Sequence, residues 1–208
     1  MRKKIILKGP FLSRSGYGEQ ARYALRALRS RADLFDIYVV NIPWGSTGQM
    51  MDVNEETSYI KESLMKTQQH TQHGGTFDLS LQITIPNEFE KIAPVNIGYT
   101  AGIETTKISP QWVDKCNGMV DKVLVVSNHS KKVFEQTKYE VEDKKGNKIP
   151  NWGVVVPVET INYAVREFEP TPINIDFTTT KNFLTVAQWG PRKNMENTIG
   201  WFVQEFRD

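Results

Sequence analysis

The chain of 208 residues has one cysteine, three histidines and no long apolar run. A lone Cys116 excludes an internal disulfide, which favours a reducing compartment. No neighbouring Cys–His pattern suggests a nucleophile, so we predict that Cys116 is buried in the core. No apolar stretch approaches the roughly 20 residues that a membrane-spanning helix needs. These absences predict a soluble protein of the cytoplasm.

Histidine is too sparse to indicate a metal site. His70 and His73 stand three residues apart in a segment rich in glutamine and glycine. Neither a third ligand nor a rigid frame accompanies them. We therefore expect a polar surface loop at this place and no bound metal.

Charge is nearly balanced over the whole chain but not along it. The formal net charge of +2 is too small to attract nucleic acid or membrane strongly. The first 31 residues nevertheless carry nine lysines and arginines against a single acid, Glu19. Arg22, Arg26 and Arg29 fall on one side of a predicted helix, where we expect solvated side chains; a nucleic-acid acceptor stays open.

Short apolar runs alternate with helical patterns over most of the chain. "KIILKG" and "FDIYVVNIP" predict strands, and between them Ala21, Ala24, Leu25 and Leu28 repeat at helical spacing. Further helices are predicted near 55–68, in "SPQWVDKCNGM" and in "NHSKKVFEQTK", and "EVEDKKGNKIPNW" is predicted to be a charged loop. The remaining predicted strands are "FDLSLQITIP", "PVNIGYT", "DKVLVVS" and "GVVVPV".

Strands of nearly continuous apolar character that alternate with helices indicate a parallel sheet covered on both faces. We predict an α/β, doubly wound, Rossmann-like domain over residues 1–159 and a linker over 160–182. Residues 183–208 then predict a strand, a basic turn and an amphipathic helix. We interpret them as the first strand–helix unit of a second, incomplete Rossmann-like domain, and we expect self-association through 183–208 or a poorly ordered tail.

The loop "GPFLSRSGYGEQA" joins the first predicted strand to the first helix. Ser15 offers a donor, Gly16 and Gly18 allow a ligand near the backbone, and the helix N-terminus suits an anion or a polar acceptor. The spacing also fits the dinucleotide pattern G-x-G-x-x-A of NAD-dependent oxidoreductases. That pattern places its first glycine directly after the strand and an acid at the end of the second strand, whereas Asn41 stands there. A purely structural turn is the third alternative.

Four segments resemble the retaining glycosyltransferases of the family 4 type, which use nucleotide sugars and have the two-domain GT-B fold. They are "SGYGEQARYALRAL", "NIGYTAGIETTKISPQWVDKCNGMVDKVLVVSNHSKKVF", "GVVVPV" and "FLTVAQWGPRKNMENTI". The resemblance implies that the first domain mainly binds the acceptor and that the second binds a nucleoside-diphosphate sugar. The sugar is then transferred to an acceptor hydroxyl of a carbohydrate or another molecule, with retention and without a metal or other cofactor.

The resemblance assigns Arg192 and Lys193 to the donor diphosphate, whose charge rises as the glycosidic bond breaks. A solvated basic turn is the alternative. Gln188 and Trp189 replace the Gly-Arg pair of the family, and the paired glutamates of the donor domain would lie beyond residue 208. We therefore expect the chain to be inactive alone.

The segment "YTAGIE" follows a strand, and ligands of open α/β sheets bind at the carboxyl ends of strands. This places Thr100, Gly102 and Glu104 in an acceptor cleft, with Glu104 as the candidate catalytic residue. Glu104 could instead cap the helix that begins at "SPQW". A non-catalytic domain that binds a ligand or partner is the alternative of a different functional class.

Overall fold

The chain folds into two compact units, Met1–Arg166 and Glu167–Asp208, which we call the first and the second unit. No helix of the described chain is both long and apolar enough to cross a membrane. The computed structural model describes residues 2–44, 47–101, 103–142, 145–187 and 189–207.

Six parallel strands form one sheet in the first unit, in the spatial order β2-β1-β3-β4-β5-β8, and β6 and β7 form a separate antiparallel hairpin. The order in which strands are added to the sheet reverses at β1, since β2 lies on one side of β1 and β3 on the other. The strands are β1 (Lys3–Gly9), β2 (Phe35–Asn41), β3 (Leu79–Ile83), β4 (Val95–Thr100), β5 (Lys122–Val125), β6 (Tyr139–Glu142), β7 (Lys148–Trp152) and β8 (Val158–Thr160).

Four helices cover the sheet, and a fifth belongs to the second unit. In the first unit a Ser or Asn side chain before each helix accepts a hydrogen bond from a backbone N–H of its first turn, which satisfies a donor that would otherwise lack a partner. The helices are α1 (Gly16–Arg29), α2 (Glu55–Gln72), α3 (Pro110–Met119), α4 (Asn128–Gln136) and α5 (Met195–Glu205).

The two faces of the sheet are packed by different helices. Leu25 of α1 and Ile60 of α2 are buried with Leu7 and Val39 in one cluster. The opposite face, near β5, is packed by buried side chains of α3 and α4: Val113, Cys116, Val133 and Phe134. Helices on both faces of a parallel sheet confirm the predicted doubly wound α/β fold, and the buried position predicted for Cys116 is confirmed.

Helix α2 also covers one edge of the sheet. The backbone N–H of Val39 in β2 donates to Thr67 Oγ1 at 2.8 Å. Lys66 Nζ donates to the carbonyl of Ile37 at 2.9 Å. These bonds satisfy backbone groups that an edge strand otherwise leaves unpaired.

Buried polar side chains lie in the middle of the sheet, where a loop with one short 3-10 turn, rather than an α-helix, joins β3 to β4. Gln82 donates to the carbonyl of Glu90 at 2.6 Å and accepts from its N–H at 2.9 Å. Ser80 Oγ donates to Asn96 Oδ1 at 2.8 Å, and Asn96 Nδ2 donates to the carbonyl of Ala93 at 2.7 Å. The loop is therefore fixed to the sheet by hydrogen bonds, because buried polar groups need partners.

Two segments of the first unit differ from the sequence prediction. The predicted charged loop is wrong, since its residues form the β6–β7 hairpin. The last strand begins at Val158 and not at "GVVV". Asn117 of α3 donates to the carbonyl of Gly153 at 2.9 Å and accepts from the N–H of Val155 at 2.9 Å. Those backbone groups bind α3, so pairing with β5 starts further along the chain.

In the second unit the predicted helix is present as α5, but residues 183–187 form no strand. The Phe183 ring packs against Phe202 at 5.0 Å and against Phe206 at 5.3 Å between ring centroids. The described residues of this unit contain no strand with which the segment could pair. An apolar extended segment without a partner strand does not form a ladder.

Candidate functional site

The loop Pro10–Ser15 at the carboxyl end of β1 is held in place by the protein itself. Arg22 Nη1 donates to the carbonyls of Phe11 at 2.8 Å and Ser13 at 3.0 Å. The N–H of Leu12 donates to Asn41 Oδ1 at 3.0 Å. Asn41, the residue at which a dinucleotide site would carry an acid, therefore serves as a support of the loop.

Gly16 and Gly18 differ in what surrounds them. A Cβ at Gly18 would overlap the carbonyl oxygen of Ser13 and lie 3.0 Å from that of Pro10, while a Cβ at Gly16 would meet nothing within 4 Å. Gly18 is thus required by close packing of the loop on α1, as the alternative of a structural turn implies. Its place in an acceptor or phosphate loop stays a prediction. Gly16 faces open space and keeps its backbone accessible.

A group of hydroxyls lies beside this loop. Ser15 Oγ caps α1 by accepting from the N–H of Gly18 at 3.0 Å, and it also accepts from Ser13 Oγ at 3.0 Å. Ser13 Oγ in turn lies 2.6 Å from Thr47 Oγ1. Ser15 thus caps the helix and also lies near the surface, and no described residue accepts the hydrogen of its hydroxyl.

Tyr17 links the glycine loop to β4, a connection that the sequence analysis missed. Its hydroxyl donates to the carbonyl of Ala101 at 2.8 Å, accepts from the Ala101 N–H at 2.9 Å and lies 3.0 Å from Thr100 Oγ1. Burial raises the pKa of Tyr17, so the phenol stays neutral. The Tyr17 and Trp44 rings pack in a T-shaped arrangement with their centroids 4.7 Å apart. An aromatic residue between two glycines is the signal that could have indicated this anchor.

Thr100 is fully buried beneath this anchor. Its hydroxyl binds Tyr17, so it positions the end of β4 and does not line an open cleft. Gly102 lies outside the described residues. The structure therefore joins Ser15, Gly16 and Gly18 to Thr100 through Tyr17, as one rigid carboxyl edge of the sheet.

Glu104 is exposed on the next loop and lines a separate open cavity of about 370 Å³. Lys107, Ser109 and Trp112 line the same cavity. Ser109 Oγ, rather than Glu104, accepts from the N–H of Trp112 at 3.3 Å and caps α3. The cavity thus offers a carboxylate, an ammonium group, a hydroxyl and an indole within one depression.

Arg192 and Lys193 lie in the second unit, in the short 3-10 turn Pro191–Lys193 before α5. Both are exposed, and an open cavity of about 320 Å³ lies at the same turn, although neither of the two side chains is among its lining residues. Its lining residues are Trp189, Gly190, Pro191, Asn194, Met195 and Glu196.

The N-terminus of α5 differs from those of the first unit. Asn194, the N-cap residue, adopts a left-handed conformation with φ 51° and makes no capping hydrogen bond with its side chain among the described residues. Its Oδ1 instead accepts from Asn197 Nδ2 at 2.8 Å. Backbone N–H groups of the first helical turn are therefore not covered by a cap, next to two cationic side chains. Gln188 lies outside the described residues.

The basic face of α1 is not a solvated surface. Arg22 is only 5% exposed. Arg26 Nε lies 2.6 Å from Glu56 Oε1, and the Arg29 guanidinium stacks 4.0 Å above the Tyr59 ring. The prediction that these arginines are solvated is wrong for Arg22, because the loop after β1 folds over that side of the helix. These internal contacts reduce what α1 could offer to phosphates.

The two histidines predicted on a polar loop lie at the end of α2, which runs as far as Gln72. His70 Nε2 lies 3.0 Å from the carbonyl of Thr76, and His73 Nδ1 lies 2.7 Å from that of Gln69. The described residues contain no group of three His, Cys, Asp or Glu side chains arranged to hold a metal ion.

Comparison of the chain with protein-family models, with curated proteins and with solved structures found no match.

Proposed function

We propose that the chain belongs to a glycosyltransferase that moves a sugar from a nucleoside diphosphate to an acceptor hydroxyl with retention of configuration. Arg192 and Lys193 hold the donor diphosphate, and the first unit contributes acceptor binding. The observation that supports this proposal best is the uncapped start of α5 beside these two cations and a concave surface.

A diphosphate fits this place for three physical reasons. Backbone N–H groups at a helix N-terminus and the helix dipole favour an anion by about 0.3–1 kcal/mol. Each charged side chain that donates to a phosphate oxygen adds roughly 1.5–3 kcal/mol. Fixed positive charge also stabilises the leaving diphosphate as the glycosidic bond breaks, so the same contacts would lower the barrier.

The exposure of each candidate side chain suggests its role in the first unit. Glu104 lies at a cavity together with Lys107 and Ser109, where it can accept a hydrogen bond from an acceptor hydroxyl. Ser15 keeps a hydroxyl hydrogen at the carboxyl edge of the sheet. Thr100 is buried and is assigned a positioning role under Tyr17.

The second candidate is a non-catalytic domain that binds a partner. Exposed apolar side chains of the second unit favour it, with Leu184 at 88% and Val186 at 86% exposure. Self-association through residues 183–208 is the simplest form of this candidate. It predicts an apparent mass that rises with protein concentration in sedimentation experiments.

A nicotinamide oxidoreductase has less support. In that class the diphosphate approaches the helix directly after the first strand. Here the fully buried Phe11 and the loop held by Arg22 occupy the space between β1 and α1.

The proposal can be tested by titrating the isotope-labelled chain with UDP, GDP and ADP and with their glucose conjugates, recording backbone amide shifts. We expect saturable shifts at residues 189–196. The double substitution Arg192→Ala with Lys193→Ala should weaken binding by at least about tenfold, since two charged contacts are lost. Release of nucleoside diphosphate in the presence of hydroxyl acceptors measures turnover separately.

Lys181→Ala with Arg207→Ala is the matched control, because it removes two exposed charges of the same unit away from the turn. If both double variants lose affinity equally, binding is only charge attraction and the diphosphate site is rejected. Because the chain alone is expected to be inactive, binding without turnover agrees with the diphosphate site. The non-catalytic candidate is favoured if no nucleotide shifts residues 189–196 while the apparent mass rises with protein concentration.

A further inference from the structure

A third cavity, of about 500 Å³, lies against the first half of α3 and is not part of the site described above. Three elements of the first unit meet there: the 3-10 turn Pro86–Glu88 after β3, helix α3 and the end of β7. Its lining residues are Asn87, Pro110, Gln111, Asp114, Lys115 and Trp152. A cavity of this size accommodates a small ligand of one or two rings.

The polar wall of the cavity is one face of α3. Gln111, Asp114 and Lys115 stand at positions i, i+3 and i+4, which are neighbours on a helix surface. Val113 and Cys116 on the other side of α3 are buried in the core. The packing of α3 thus turns its amide, carboxylate and ammonium groups together towards the cavity.

The aromatic wall is Trp152, and the backbone fixes it there. The β6–β7 pairing shifts register between Tyr139 and Val141, where β7 carries an extra residue, and Asn151 next to Trp152 has a left-handed φ of 57°. A bulge of this kind redirects the side chain that follows it. On the other side of Trp152, the Gly153 carbonyl is held by Asn117 of α3.

The polar side chains of this cavity have no partners inside the described chain. Asn87, Gln111, Asp114 and Lys115 form no side-chain hydrogen bond or ion pair with any described residue. They offer both donors and acceptors, and one carboxylate balances one ammonium group. A site with mixed donors and acceptors, no net charge and a half-buried indole does not favour an anion, a cation or a purely apolar molecule.

We propose that this cavity, which we call the Trp152 site, binds a neutral carbohydrate of one or two sugar rings. The indole face covers the apolar C–H face of a pyranose ring, and the amides, Asp114 and Lys115 bind its hydroxyls. A neutral polyol is the ligand class whose groups match all of these at once. The proposal does not depend on the donor site of the second unit, since it requires no nucleotide.

The experiment follows the indole N–H signals of the chain, which has five tryptophans. The signal of Trp152 is assigned by its loss in Trp152→Phe. Maltose, cellobiose, mannobiose and chitobiose are added to the wild-type chain, with glycerol as a small polyol control. We expect a saturable shift of the Trp152 signal with at least one disaccharide, at roughly millimolar affinity because the site is open.

The double substitution Gln111→Ala with Asp114→Ala removes two exposed polar groups without touching the core, and we expect about a tenfold loss of affinity. Lys61→Ala with Glu62→Ala on the exposed side of α2 is the matched control and should bind as the wild type does. The proposal is overturned if no disaccharide shifts the Trp152 signal, or if the shift is unchanged in the Gln111 and Asp114 variant.

Discussion

The two units of the chain have similar apolar sequence patterns and bury them to very different extents. Phe134 in α4 is 0% exposed, whereas Phe183 before α5 is 64% exposed. In the first unit each helix packs on a sheet whose strands are paired with one another. In the second unit α5 packs on an extended segment, and most apolar side chains stay in contact with solvent. A local sequence pattern therefore selects a helix or strand, while the burial of its apolar side chains depends on the number of neighbouring elements.

Truncation of one phenylalanine in each unit should reveal the largest difference in stability between them. Phe134→Ala leaves a cavity in a fully packed core, so we expect it to lower the free energy of unfolding by about 3–5 kcal/mol. Phe183→Ala should change it by less than about 1 kcal/mol, because the ring is largely solvated. Urea unfolding followed by circular dichroism measures both. Equal losses would mean that the two units are equally packed in solution.

Thiol reactivity probes the same difference at single positions. Burial raises the pKa of Cys116 to about 12, so the thiol carries almost no thiolate at pH 8. In the variant Leu184→Cys, we expect the new thiol to react with Ellman's reagent at least about 100-fold faster than Cys116. A fast reaction of both thiols would show that the first unit opens readily.

Two glycines test whether the dense packing of the first unit extends to its loops. Gly18→Ala should destabilise the chain by about 1–3 kcal/mol, because the added methyl group overlaps the Ser13 carbonyl. Gly16→Ala adds a methyl group in open space and should be neutral or stabilising by up to about 1 kcal/mol. Thermal unfolding of the two variants decides this, and equal effects would refute the role assigned to the Gly18 contact.

The smallest expected effect concerns the pH dependence of the two units. Partial burial alone would raise the pKa of Glu19, but hydrogen bonds and charges of Arg22 and Arg26 outweigh it, and the net pKa is lowered. Stability from this group is present above the ordinary pKa of a glutamate and is lost as the pH falls through the lowered value.

We therefore expect Glu19→Gln to flatten the loss of stability between pH 6 and pH 3.5, by less than about 1 kcal/mol after solvent screening. Glu205→Gln in α5 is the control and should leave that pH profile unchanged. Urea midpoints at the two pH values give the result. Parallel profiles of wild type and Glu19→Gln would contradict the contribution assigned to the Arg22 pair.

The helices and most strands of the first unit could be predicted because their periodicity is local. The face of α1 that contains Leu25 is an example, since spacing alone places it against the sheet. The start of β8 could not be predicted, because Asn117 of a distant helix binds the backbone of Gly153 and Val155. Arg22 likewise seemed solvated, since helical spacing does not reveal a loop that folds back over it.

The candidate site was predictable only in part for the same reason. The carboxyl edge of the sheet follows from the fold class, and Ser15 lies there as expected. The sequence does not show that Gly18 lies against a carbonyl. The burial of Thr100 under Tyr17 depends on a contact between residues more than 80 positions apart. The roles of Glu104, Arg192 and Lys193 stay predictions for the experiments above.

Helix α2 lies along the edge of the sheet at β2, and the opposite edge of the sheet is β8. On the β2 side the Val39 N–H and the Ile37 carbonyl already bind α2, while no strand lies beyond β8 among the described residues. An added strand would therefore join more readily at β8 than at β2. Two molecules that paired through β8 would each present α2 along the outer edge of β2, which disfavours growth of a longer sheet by further strand addition.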